Sequence, residues 1–162
     1  EIDDIKPYIK EAQMFDIRES LTDEFFYELM YAYFYQENVG ITVDIKYSKL
    51  VDGGSYENSS GNTIFFEGLG AAIALFAYAR FIIEAQAVTV TRAGVVIKNA
   101  EASDPAEISL IEKMASKARE LAVGHVRDCI TFLNENDEDY DNWTSGTDKS
   151  FGSLKITKVN KV

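Results

Sequence analysis

The sequence predicts a mainly α fold: a four-helix bundle with a long last helix, one or two small β-hairpin excursions and an extended tail. Three observations predict it. Apolar residues recur at helical spacing in four separate stretches. Two intervening stretches, 38–67 and 87–98, switch to alternation and turn-forming residues. From 135 onward the helical stripe is lost, and an acidic block gives way to a basic one. The expected organisation is a helical domain over 1–134 and an arm over 135–162.

The first helix follows from Ile5, Tyr8, Ile9, Ala12 and Phe15, which share one face, with Pro7 tolerable near a first turn. A second helix starts at Thr22, an N-cap residue followed by Asp23 and Glu24 at the positive end of the dipole. Its apolar residues are Phe25, Phe26, Leu29, Met30, Ala32, Tyr33 and Phe34, and Gly40 ends it. The excursion that follows holds "ITVDIKY", which alternates as a strand does, and "VDGGSYENSSGN", dense in turn formers. One strand or hairpin is expected there. A segment this long within a compact domain is usually functional or disordered.

The third helix runs from Gly68 to about Gln86, carrying Leu69, Ile73, Phe76, Ala77, Arg80, Phe81 and Glu84. "AVTVTRAGVVIK" then reads as a β-hairpin with Gly94 in the turn and Arg92 at the tip. Asp104, Pro105 and Glu107 approximate a capping box for the fourth helix. Its core face is Ile108, Ile111, Ala115, Ala118, Ala122, His125, Cys129 and Phe132, and the pattern persists to about Leu133. In the tail, Glu135, Asp137, Glu138, Asp139 and Asp141 form an acidic run expected to be solvated. From Lys149 there are lysines and no acids, and "LKITKV" alternates without an obvious strand partner in the chain, either a candidate for adding to a neighbour's sheet or a frayed tail.

Bulk chemistry narrows the function classes. The formal charge of −11 and pI near 4.5 argue against wrapping nucleic acid, which requires clustered Lys and Arg. The single cysteine excludes an internal disulfide framework and any multi-cysteine metal site. "EIDDIKPY" has no apolar run of the secretory kind, so a reducing cytosol is expected. The most apolar stretch, Leu69–Ala87, is near bilayer length, yet Arg80 and Glu84 lie within it, which points to a buried helix and no membrane.

The order strand, Gly68-Leu69-Gly70, helix imitates a dinucleotide-binding loop. The third glycine position holds Ile73, Glu84 lies in the same helix instead of ending a second strand, and no strand–helix series follows. No Walker lysine follows the glycines either. Gly68 and Gly70 are read instead as ending the extended segment and letting the helix start close to its neighbour. His125 and Cys129 are too few for zinc and fall on the apolar stripe. No triad accompanies Ser55, Ser59 and Ser60. Neither an enzyme nor a cofactor is expected. Arg80, inside an apolar helix, and Arg92, at the hairpin tip, read either as snorkelling or a salt bridge, Arg80 to Glu84 at i, i+4, or as a projecting hairpin whose Arg92 touches a partner subunit.

With the segments in order, "KYSKLVDGGSYENSSGNTIFFEGLGAAIALFAYARFI", "VTVTRAGVVIKNAEASDPAE" and a final long helix resemble the ring or head–tail connector proteins of crAss-like tailed phages, over roughly residues 1–134. The most specific parts are "LVDGGSYE", "FFEGL", "AYARF" and "TRAGVV-K". The resemblance implies a connector-type bundle and a virion structural protein of the neck. Such proteins form closed rings of roughly twelve copies. These rings sit below the portal protein, contact other neck or tail proteins, and let DNA pass without specific binding. No catalytic residues transfer. Interface segments map onto Lys46, Tyr47 and Tyr56 in the excursion, Arg80, then Thr91, Arg92, Val95 and Lys98 in the hairpin. Phe151, Leu154 and Ile156 are the candidates in the tail. The alternative from another class is a small acidic helical binding or inhibitor module, which needs a dense, ordered carboxylate surface.

Overall fold

A computed structural model describes residues 2–35, 40, 42–84, 88–91, 94–97 and 108–144, with backbone alone at 2–3, in the strands of 88–97 and at 108. The fold is mainly helical, with a long last helix and two antiparallel two-stranded hairpins. Among the described residues the main helices are α1 (Ile2–Glu11), α2 (Asp23–Leu29), α3 (Ile45–Asp52), α4 (Gly68–Glu84) and α5 (Ile108–Glu135). Strands β1 (Gly54–Glu57) and β2 (Thr63–Phe66) separate α3 from α4, and β3 (Val88–Thr91) and β4 (Gly94–Ile97) lie in the connection between α4 and α5.

α1 continues as a π-helical stretch, Ala12–Ile17, and closes in Arg18–Ser20. The wider turn moves the buried face from Ala12 to Ile17, a step of five residues. Phe15, expected on the core stripe, is therefore 63% exposed. Ser20 Oγ donates to the Asp16 carbonyl at 2.8 Å, and Leu21 turns extended, ending the helix. Thr22 then caps α2 as the sequence requires, its Oγ1 accepting from Phe25 N–H at 3.3 Å. α2 also passes into a π-helical stretch, Met30–Tyr35.

The segment "ITVDIKY" does not make a strand. Asp44 accepts from Lys46 N–H at 3.0 Å and starts α3, which buries Tyr47, Leu50 and Val51 at i, i+3, i+4. Helical burial overrides the β-prone alternation. The hairpin forms one step later, pairing Gly54 with Phe66 and Glu57 with Thr63. Its loop is built by Asn58, whose Oδ1 accepts from Ser60 and Asn62 N–H, with Gly61 at φ 78.

α3 crosses the start of α4 at backbone contact. A Cβ on Gly68 would stand 2.3 Å from the Val51 carbonyl oxygen, and one on Gly70 would stand 3.0 Å from it. The Gly-x-Gly pair thus permits a close crossing, as its sequence context suggests. α4 and α5 run antiparallel. Phe66, just before α4, stacks on Phe132 near the end of α5 at 4.6 Å, whereas Ala79 and Ile82 at the other end meet Ile111, Ala115 and Ala118. Alanines on both helices admit the close approach. α5 spans about 42 Å at 1.5 Å per residue. Tyr8 of α1 meets Phe81 of α4 edge-on at 5.8 Å.

The boundary expected at 134 is corrected. Asp137–Asp139 form a 3-10 turn, and Tyr140 and Trp143 return into the main core. The helical body therefore includes 135–143, drawn in by two aromatic side chains whose burial outweighs the solvation of the acids around them. The capping sequence Asp104-Pro105-Glu107, the end of the third helix at Gln86, and the basic segment from Lys149 lie outside the described residues.

Candidate interaction surfaces

The first of these surfaces is backbone. β1 pairs only with β2 and β3 only with β4, so each hairpin presents two outer edges with no strand partner among the described residues. The β3–β4 register sets Thr91 opposite Gly94, which makes Gly94 the first residue of β4 rather than a turn residue. A two-stranded hairpin is marginal alone in water, and unpaired edges offer a row of N–H and C=O groups to another chain.

A second surface is aromatic. Tyr27, Tyr31 and Tyr35 recur at i, i+4, i+8 along α2 and its π-helical continuation, and all three are more than half exposed. Tyr31 and Tyr35 stack at 5.4 Å with rings 13° from parallel, and the Arg18 guanidinium lies 5.3 Å from the Tyr27 centroid. The spacing was legible in the sequence, but the surrounding Phe25, Phe26, Tyr33 and Phe34 masked it as one undivided apolar run. Phe65 and Ile45 are also largely exposed.

The sequence-derived interface residues in the body turn inward. Tyr47 is buried, and its hydroxyl donates to Glu28. Burial first, then that hydrogen bond to a carboxylate, holds its phenol well above the ordinary tyrosine value. Tyr56 is buried against Phe66 and Phe132 at 5.8 and 5.1 Å, and burial raises its phenol as well. Lys46 Nζ donates to the Asp139 carbonyl at 2.8 Å and lies over the Tyr47 and Tyr140 rings. These side chains bind the excursion to its own body, Lys46 and Tyr47 from α3 and Tyr56 from β1.

Arg80 is likewise committed within the chain. It pairs with Asp16 and stands 3.7 Å from Glu11, so its partners are on α1 and its π-helical continuation and not at Glu84. The i, i+4 reading fails because Glu84 is exposed at the helix end while Arg80 is turned toward Asp16. Thr91 closes β3 and Val95 lies in β4. Arg92, Lys98, Phe151, Leu154 and Ile156 lie outside the described residues.

Among the described residues no group of three or more His, Cys, Asp or Glu could hold a metal ion, and no helix is long and apolar enough to cross a membrane. Cys129 is fully buried, and desolvation, with Asp128 adding to it, pushes its thiol up to about 12. His125 is half-buried one turn earlier on α5.

No curated protein and no solved structure matches the chain. The model of a family described as a family of unknown function (DUF6712) matches residues 17–150, most of the sequence, and the protein belongs to that family.

Proposed function

We propose that this protein is a non-enzymatic virion component, one subunit of a closed ring that joins the portal to the tail of a tailed phage and surrounds the DNA channel. The observation that carries the reading is the pair of two-stranded hairpins on the helical body, whose outer edges have no strand partner among the described residues. Heterologous contacts that close on themselves generate rings, and strand edges completed by the next copy are one such contact. Acidic excess fits a channel wall that offers phosphates no ion pair. The resemblance of "LVDGGSYE", "FFEGL" and "AYARF" to neck proteins supplies the place in the particle. Native mass spectrometry of the chain, alone and mixed with the portal protein of the same phage, tests it. A single closed stoichiometry on the portal supports the reading, and a chain that ignores the portal and itself at tens of micromolar contradicts it.

One observation favours a second reading, an acidic binding or inhibitor module. Asp137, Glu138, Asp139 and Asp141 are exposed on an ordered turn, not on a free arm. That gives them the fixed geometry that mimicry of nucleic acid requires. Displacement of DNA from a basic protein by this chain, lost on neutralising those four acids, would favour it over the ring.

A further inference from the structure

We infer that the Tyr27–Tyr31–Tyr35 face receives the basic segment Lys149–Val162 of a second copy of this chain. The inference deepens the ring reading and rests on it for the copy-to-copy arrangement. Three aromatic rings in line are an unusual expense for a helix surface, because each leaves apolar area in water that a partner could bury. They are 51%, 62% and 55% exposed, no described residue covers them, and the ring reading puts the occupant on the next copy.

Charge and position select the occupant. Glu24, exposed and three residues before Tyr27, is a neighbour of that ring on the helix surface, whereas Glu28, three before Tyr31, already accepts from Tyr47 and Asn142. Segment 149–162 carries Lys149, Lys155, Lys158 and Lys161 and no acid. In an extended chain Leu154 and Ile156 share one side and Lys155 stands on the other, which gives apolar side chains for the rings and an ammonium group for the Glu24 carboxylate and ring faces.

The described chain ends beside this helix. Trp143 packs on Phe25, and Asn142 Nδ2 donates to Glu28 at 2.6 Å. Each copy therefore launches its basic segment from the neighbourhood of the face that receives one. The residues from 145 to 162 extend to about 60 Å at most, enough to reach an adjacent subunit.

Two measurements test this on the full chain. In the first, a fluorescent peptide of residues 149–162 is titrated onto the protein and onto the double variant Tyr31→Ser/Tyr35→Ser, whose exposed positions leave the fold intact by circular dichroism. Binding at least roughly tenfold weaker to the variant is expected. Equal binding to both proteins, or none to either, overturns the inference whatever the oligomeric state. In the second, Phe151 is replaced by a photoreactive benzophenone amino acid, and light and heavy-isotope copies are mixed and irradiated. Mixed-isotope cross-links onto 23–35 are expected, and same-isotope links alone, or links elsewhere, overturn docking between copies. A chain that shows the peptide site while refusing to assemble with itself or the portal separates failure of the ring reading from failure of this one.

Discussion

The indole of Trp143 meets the ring of Phe25 edge-on at 5.4 Å, joining the residues after the last helix to the start of the second. Around this contact Tyr140 donates its hydroxyl to the Lys46 carbonyl at 2.8 Å, and Trp143 Nε1–H donates to Asn134 at 3.0 Å. The return segment thus touches α2, α3 and α5 together. Trp143→Ala is expected to cost about 3 kcal/mol, read as a lower urea midpoint with an unchanged slope. A chain stopped at Asn134 is expected to lose cooperative unfolding, which an arm independent of the body would not cause.

The glycines at the α3–α4 crossing differ from the one inside α5. Gly68 sits at φ 76 with the Val51 carbonyl where a Cβ would go, so Gly68→Ala is expected to destabilise by about 2–4 kcal/mol. A Cβ on Gly124 meets nothing within 4 Å, and Gly124→Ala is expected to stabilise by about 0.5–1 kcal/mol. Thermal melts of the two variants check both signs.

Arg80 holds α1 and its continuation to α4 through Asp16 and Glu11. Removing Asp16 from this part-buried pair leaves Arg80 with only the more distant Glu11. Asp16→Ala is expected to lower stability by about 2–3 kcal/mol, whereas Glu84→Ala stays within about 0.5 kcal/mol of the parent. Chemical denaturation of the two variants distinguishes the α1 partner from the i, i+4 one.

Alkali should open the return segment. Burial raises the phenols of Tyr47 and Tyr140 above their ordinary value, so their neutral forms stabilise the fold fully below about pH 10. That contribution is lost as pH climbs from there through the raised folded values. Stability from tyrosine burial should be level between about pH 7 and 9 and fall above about pH 10. Tyr47→Phe should flatten its share of that fall. Ultraviolet titration of tyrosinate alongside tryptophan fluorescence follows both events.

Much of this architecture was legible in residue spacing, and the misses have physical causes. The helical stripes, the Thr22 cap, the 88–97 hairpin and the role of Gly68 and Gly70 were readable because each depends on local pattern or backbone sterics. Phe15 escaped because a π-helical turn shifts the face by one residue, and no periodic template carries that shift. "ITVDIKY" deceived because Asp44 capping and the inward Tyr47, Leu50 and Val51 stripe outweigh its β-branched composition. Tyr140 and Trp143 were hidden inside an acidic run whose charges suggested solvent. Lys46 and Tyr47 on α3 and Tyr56 on β1 make contacts within the chain that spacing alone does not reveal, because the excursion folds back as a helix and a hairpin.

A symmetry-averaged cryo-electron reconstruction of the neck of a particle carrying this protein tests the central claim most directly. The account predicts a closed ring of this chain between portal and tail, with at least one outer edge of the 88–97 hairpin hydrogen-bonded to an adjoining chain. A neck fully accounted for without this chain, or a ring in which both edges of both hairpins face solvent, would contradict it.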